Sequence, residues 1–164
     1  MSSIDELLSR LAPDGVQHRA LQEVGSFVRG GGPQKKDFSD EGVGCIHYGQ
    51  IYTHYGIHTS TTLSHVSPEV AARSRRAQPG DVIIAVTGEN DADLARAVAW
   101  LGNAPVAVSN HTLIYTSSLD PKYVSLLPPI FGILGAETDS DIRDEGALNL
   151  GSAVRDHPHS CPAS

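Results

Sequence analysis

The chain has 164 residues, of which 40% are hydrophobic and 19% charged, a composition typical of one globular domain with a single core. No run approaches the ~18 apolar residues of a membrane span, and no membrane partner is expected. The acidic start Met1–Glu6 lacks the basic and apolar regions of a signal peptide. Cys45 and Cys161 do not suggest a disulfide framework, so a reducing cytoplasm is the expected location.

The net charge of −7 gives no indication of a nucleic-acid partner, but the charge is unevenly distributed. From Leu126 onward six acids stand against two arginines, whereas residues 29–76 hold six bases and four acids. The bases of that segment are Arg29, Lys35, Lys36, Arg73, Arg75 and Arg76. The overall charge therefore does not exclude DNA.

The first half of the chain predicts one helix and two strands. Ser3–Glu6 has capping-box spacing, and apolar residues follow at helical intervals up to the turn at 12–15. Loose alternation of apolar and polar residues predicts a strand over 21–28. A second strand is predicted over 43–48, and the aromatic-rich segment 50–58 is expected to continue it as extended chain.

The middle of the chain contains helix and turn signals. Ser67 before Pro68 predicts a helix that continues to Ala77, because a capping residue followed by proline is a typical helix start. The sequence Gln78–Asp81 predicts a turn, and the apolar run Val82–Val86 predicts the strand after it.

The last elements complete the expected fold class. Acids in a first turn predict a helix over 91–98, and two short strands are expected over 105–108 and 112–115. Asp120 before a proline predicts a final helix. These elements predict a single α/β domain, of mixed α+β type, with short strands, short helices and long polar loops.

Motifs for catalysis or metal binding are weak. Gly30–Pro33 lacks the Gly-Lys-Ser/Thr ending of a phosphate loop, so a turn that needs positive φ is predicted there. Cys45, His47 and two later histidines match no common zinc spacing, and Cys45 has no activating neighbour in sequence. No catalytic residue, cofactor or metal is therefore predicted. A small metal- or cysteine-dependent hydrolase using Cys45, His47 and Glu89 stays open as an alternative.

The segment from Gln34 to His65 is rich in side chains that bind DNA. Glutamine and lysine can contact base edges in the major groove, whereas lysine and tyrosine also bind phosphates. The same residue types occur on ordinary loop surfaces, so composition alone does not decide between the two.

Several stretches, taken in order, carry a family resemblance. Residues 41–52, Glu-Gly-Val-Gly-Cys-Ile-His-Tyr-Gly-Gln-Ile-Tyr, are similar to a segment Gly-Val-Pro-x-Ile-x-Tyr-Gly-x-Ile-Tyr, with Gly44 in place of proline. Pro79–Ile84 is similar to a Gly-Asp-Ile-Leu strand. With the stretches 4–16, 24–38 and 89–115, these resemble the target recognition domain of type I restriction-modification specificity subunits.

That resemblance implies a non-catalytic domain that binds one half of a bipartite duplex DNA target. Methylation and cleavage of DNA would belong to partner methyltransferase and restriction subunits. The DNA-contacting residues that it implies are Gln34, Lys35, Lys36, His47, Tyr48, Gln50, Tyr52, Asn110 and His111. A degenerate, truncated fragment that folds but does not assemble is the other alternative.

Residues 1–125 are therefore predicted to form the recognition domain, and residues 126–164 a divergent, disordered tail. Back-translated one nucleotide along, the end of this tail permits Thr-Arg-Ile-Pro-Val-Pro-Pro, which is similar to the spacer of the same family. We therefore suspect that the tail is a frameshift product.

Overall fold

Two five-stranded sheets form the centre of the protein in a computed structural model, which describes residues 3–15, 19–87 and 96–127. Sheet A has the strand order β1-β10-β7-β8-β4, and sheet B has the order β2-β5-β3-β9-β6. The strands are β1 (Gly25–Arg29), β2 (Phe38–Ser39), β3 (Val43–Ile46), β4 (His58–Thr59), β5 (Ser64–Val66), β6 (Arg76–Ala77), β7 (Val82–Ala85), β8 (Ala97–Trp100), β9 (Val106–Val108) and β10 (Thr112–Ser117). The helices are α1 (Ser3–Leu11), α2 (Leu21–Val24), α3 (Tyr48–Thr53), α4 (Pro68–Arg73) and α5 (Pro121–Leu126), with a 3-10 turn at Lys35–Asp37.

Both faces of the central strands are buried, so nearly every residue along these strands is apolar. In β7, Val82 and Ile84 enter one cluster, whereas Ile83 and Ala85 enter another, as the two-residue period of a strand requires. The second cluster lies between the sheets, because it also contains residues of β3, β6 and β9 from sheet B. Sheet A therefore packs on sheet B through a shared apolar layer.

Short helices cover the outer faces of the two sheets. Leu21 of α2 and Val124 of α5 pack in the outer cluster of sheet A, and the hydroxyl of Tyr115 donates to Leu21 O at 2.8 Å. Ala71 of α4 packs with Cys45 in the outer cluster of sheet B. The order of layers is thus helix, sheet, sheet, helix, and the predicted α/β class is confirmed.

Several predicted elements are present with small differences at their ends. α1 ends before the turn at 12–15, where Gly15 has φ of 89°. The turn at Gln78–Asp81 closes with a hydrogen bond from Asp81 N to Gln78 O, and Gly80 in it has φ of 96°. β7, β9 and β10 lie within or beside their predicted ranges, and Asp120 caps α5 by accepting from Tyr123 N.

The prediction of extended chain was wrong in two places and the predicted α4 was too long. The strand predicted over 21–28 begins as a helical turn, α2, and becomes β1 at Gly25. The segment predicted as extended over 50–58 begins in helix α3, which ends at Thr53. The helix predicted to reach Ala77 ends at Arg73, because residues 76–77 pair with β9 as strand β6.

The predicted helix over 91–98 was wrong at its end, where Ala97 begins strand β8. Ala97 has high helix propensity, but β8 pairs with β7 on one side and with β4 on the other. This pairing buries the strand, and such tertiary contacts outweigh local propensity.

Residues 91–95 and the predicted tail from residue 128 lie outside the described residues. In the described parts of the chain, no helix has the length and apolar character that a membrane crossing requires.

Candidate nucleic-acid interface

Three loops meet where the ends of strands from both sheets come together. β3 and β9 are parallel, with Ile46 beside Val108, so the segments that follow them leave the same edge of sheet B. β1 is antiparallel to β10, with Arg29 beside Leu113, so its end lies next to the start of β10. We call this surface the loop rim, and it consists of residues 30–36, 47–52 and 109–111.

Hydrogen bonds join the first loop of the rim to the third. Gly30 N donates to Thr112 O at 2.9 Å, and Gly32 N donates to the side-chain oxygen of Asn110 at 3.3 Å. A Cβ atom on Gly30 would overlap Thr112 Oγ1, and Gly32 has φ of 143°. Close approach and a positive φ therefore explain the glycines better than a phosphate loop does.

Ser109 joins the third loop to α3. Its hydroxyl oxygen accepts a hydrogen bond from Tyr48 N at 3.0 Å, and its own amide donates to Ile46 O at 3.1 Å. Ser109 is 1% exposed, so these bonds lie away from solvent. The loop at 109–111 and the start of α3 are therefore held in one fixed arrangement.

The helix α3 begins with a capping box of unusual composition. His47 Nδ1 accepts from Gly49 N at 3.1 Å, while Gln50 Oε1 accepts from His47 N at 3.1 Å. Ile51 is buried between the sheets, and Tyr48 and Tyr52 pack beside it. This packing explains why the segment is helical despite its residues of high β propensity.

Aromatic rings form a continuous group along the loop rim. The ring of Tyr48 lies 4.3 Å from that of His47, 5.5 Å from that of His111 and 6.4 Å from that of Tyr52. Phe38 contacts the other side of His47 edge-on, at 5.8 Å. Tyr48 and Tyr52 are half-buried and His111 is exposed, so part of this group faces solvent.

Exposed cations lie on the first loop of the rim and beside it. Lys35, Lys36 and Arg75 are exposed, and in the described part of the chain none of them forms an ion pair. Burial lowers the pKa of His47, and the positive charges of Lys35 and His111 lower it further. Tyr48 lies between the two histidines, because its ring contacts both His47 and His111.

The structure brings the nine sequence-predicted residues onto this one rim, but not all of their polar groups are free. Gln50 uses both ends of its amide, since Nε2 donates to Ser64 Oγ at 2.7 Å. Asn110 is exposed and its oxygen is engaged with Gly32 N. Gln34 precedes the 3-10 turn, and its backbone N–H donates to Asp37 Oδ2 at 2.9 Å. His111 is exposed with φ of 63°, a left-handed conformation.

Sequence reasoning missed Arg75, which lies beside the loop rim, and Ser109, which belongs to it. Arg75 N donates to Gly31 O at 2.7 Å, which fixes this arginine beside the glycine-rich loop. Its positive charge was noted in sequence, but its position there was not foreseen. Ser109, which anchors Tyr48, carries no sequence signal because its partner is distant along the chain.

The residues of the alternative hydrolase do not form an active site in the described structure. Cys45 is fully buried, and burial together with the charge of Asp37 raises the pKa of its thiol to about 12. A protonated thiol is a poor nucleophile. Among residues 3–15, 19–87 and 96–127, no three histidine, cysteine or acidic side chains are grouped to hold a metal ion, and Glu89 lies outside these ranges.

The fold and the loop rim define an α/β domain with one surface that is polar, aromatic and cationic. No family model and no curated protein matches the sequence. Two solved structures are similar in fold, each with a TM-score of 0.48. One comes from work on complex assembly and conformational transition of the type I R-M system, with 20% identity. The other is the HsdS subunit of Thermoanaerobacter tengcongensis, with 19% identity.

Both similarities extend over 77% of this chain, which spans about a third of each of those chains, 34% and 33% respectively. At such identity the likeness concerns the fold alone.

Proposed function

We propose that this chain is a sequence-specific DNA-binding module whose loop rim contacts duplex DNA. The observation that carries the proposal is the convergence of exposed cations, on and beside the loop rim, with its half-buried tyrosines. Lys35 and Arg75 supply charge for phosphates, and the rings of Tyr48 and Tyr52 supply flat apolar surface. Cationic groups fix a protein on the DNA backbone, whereas side chains at the groove supply sequence preference.

The charge of the loop rim favours DNA binding, although the net charge of the whole chain is −7. The nearest acid of the first loop, Asp37, has its carboxylate occupied by the amide of Gln34. Glu69 lies elsewhere, in the first turn of α4, where backbone and Ser67 hydrogen bonds lower its pKa. Both acids lie outside the loop rim, whose residues 30–36, 47–52 and 109–111 include Lys35 and Lys36 but no acidic residue.

The salt dependence of DNA binding by the full chain tests the proposal. Each phosphate contact contributes about 0.9 to the slope of log K against log salt for duplex DNA. Replacing Lys35 and Arg75 together by alanine should lower this slope by up to about 2 and weaken binding to all duplexes. Lys35→Ala with Lys36→Ala tests the first loop alone in the same way.

The matched control removes the same charge elsewhere. Arg10 of α1 and Lys122 of α5 are exposed, and α5 packs against β7 and β8 of sheet A. Arg10→Ala with Lys122→Ala should leave the slope unchanged. An equal loss from both double variants would mean that only overall charge matters, and no measurable duplex binding by the intact chain would contradict the proposal.

More specifically, we propose that the chain binds one half of a bipartite DNA target. Its partners would be methyltransferase and restriction subunits, which methylate and cleave the DNA. This more specific proposal rests on the sequence resemblance, and it assigns no catalytic role to the chain. Selection of duplexes from a random pool should return a short half-site. Co-purification with a methyltransferase subunit of a type I system separates a working specificity component from a fragment that folds but does not assemble.

A further inference from the structure

The cap of α3 requires a particular state of the His47 ring. Because Nδ1 accepts from Gly49 N at 3.1 Å, this nitrogen carries no proton, so the ring is neutral with its proton on Nε2. Serine, threonine, aspartate and asparagine are the usual capping residues, and none of these is titrated near neutral pH. A histidine in this position makes the cap dependent on pH.

The surroundings of His47 favour the neutral ring. Lys35 faces it from the 3-10 turn and His111 from the loop after β9, and both charges lower the pKa of His47. Phe38 of β2 and Tyr48 of α3 contact the ring without carrying charge at neutral pH. Among the described residues, no carboxylate forms a hydrogen bond or ion pair with it that would stabilise a cation.

We propose that neutral His47 is a positioning residue for sequence readout: it caps α3, and its protonation releases that cap and reduces discrimination between DNA sequences. This inference rests on the proposed function, since it concerns how the same rim reads DNA. A proton from solvent on Nδ1 would face the Gly49 N–H, so two donors would oppose each other.

The consequence for DNA is specific because α3 is short. It has six residues, and its first turn carries Tyr48, which contacts both His47 and His111. Loss of the cap frees this turn, whereas the added charge of the imidazolium strengthens attraction to phosphates. Protonation should therefore lower the ratio of specific to non-specific affinity without weakening non-specific binding.

Two substitutions separate capping from charge. His47→Asn keeps a side-chain oxygen that can accept from Gly49 N at every pH, whereas His47→Ala removes the acceptor. As the pH of the full chain is lowered from 8 through the pKa of His47, the affinity ratio should fall about fivefold in the wild type, the equivalent of one lost cap. It should stay constant and high for His47→Asn, and constant and low for His47→Ala.

The exposed His58 of β4, which lies outside the loop rim, supplies the histidine control, since His58→Gln should keep the pH dependence of the wild type. Wild-type pH dependence in His47→Asn, or an undiminished ratio in His47→Ala at pH 8, would overturn the inference.

A second measurement needs no DNA. The amide proton signal of Gly49, followed by NMR in the full chain, should shift with the same midpoint as the His47 ring, below pH 6.5. It should show no such shift in His47→Asn. If the Gly49 amide signal does not shift as His47 titrates, the positioning role is overturned. If no variant binds duplex DNA, the proposed function is overturned instead.

Discussion

The backbone amide of Tyr48 donates a hydrogen bond to Ser109 Oγ across 3.0 Å, although 61 residues separate the two along the chain. The same hydroxyl donates onward to Asn110 O at 3.1 Å. One buried side chain therefore joins the start of α3 to the loop that carries Asn110 and His111. The relative position of these two segments depends on it, and so does any surface that they form together.

Ser109→Ala should destabilise the protein by about 1–3 kcal/mol, because it leaves the part-buried amide of Tyr48 without its acceptor. Urea denaturation of the full chain measures this free energy of unfolding. Ser26→Ala, at an exposed position of β1, is the control and should change stability by less than about 0.5 kcal/mol. Equal effects of the two variants would mean that the bond contributes nothing.

Gln50→Ala tests whether this side chain contacts a base or only supports α3. Its amide accepts from His47 N and donates to Ser64 Oγ. We therefore expect the free energy of unfolding to fall by about 1–3 kcal/mol, as measured by denaturation. In binding titrations, the affinity should fall by the same factor for every duplex sequence. A loss confined to one base pair, with stability unchanged, would instead identify Gln50 as a base-contacting residue.

The sequence contains a helical signal for α3 that the strand propensity of its residues obscured. Tyr48, Ile51, Tyr52 and Tyr55 recur at helical spacing, and all four pack in or against the cluster between the sheets. Tyrosine and isoleucine favour strands, and histidine is not a usual capping residue, so composition pointed to extended chain. The spacing was the better guide.

The chemical types in the candidate site were predictable, whereas its geometry was not. Lys35, His47 and Tyr48 were selected for the groups they carry, which sequence displays directly. Their meeting with His111 depends on the parallel pairing of β3 with β9, which brings distant segments together. No local pattern encodes such a pairing. For the same reason Ser109 was missed.

Trp100 should contribute strongly to stability through the layer between the sheets. It is 6% exposed, and its Nε1 donates to Ala104 O at 2.8 Å. Trp100→Ala should therefore cost about 3–5 kcal/mol in the free energy of unfolding, measured in urea. A loss under about 1 kcal/mol would mean that the ring contributes little to the core.

Gly102 lies against the Trp100 ring, and a Cβ atom there would overlap the ring carbons. Gly102→Ala should cost about 1–3 kcal/mol in the wild type by overpacking. In a Trp100→Ala background the added methyl has room, so the cost should be smaller. Additive losses in this double-mutant cycle would show that the two positions are not coupled.

Cys45 should be chemically inert in the folded chain. Burial and Asp37 raise the pKa of its thiol from 9.0 to about 12. At pH 8 the thiolate fraction is then about one in ten thousand, against about one in ten for a thiol of pKa 9.0. In a Cys161→Ser background, alkylation of the native protein should be more than about 1,000-fold slower than in urea.

The raised pKa of Cys45 also predicts a direction for stability against pH. The folded state holds the thiol proton more tightly than the unfolded state, so this contribution is fully present below pH 9 and is lost as pH rises towards 12. Cys45→Ala should remove that part of the alkaline destabilisation while lowering stability at neutral pH by loss of packing. Tyr115, whose pKa burial also raises, remains in both proteins and cancels in the comparison, whereas the substitution also removes the contribution of Cys45 to the raised pKa of Tyr55. Rapid alkylation of Cys45 under native conditions, with no unfolding detected, would contradict the buried thiol and restore the cysteine-dependent hydrolase as a candidate.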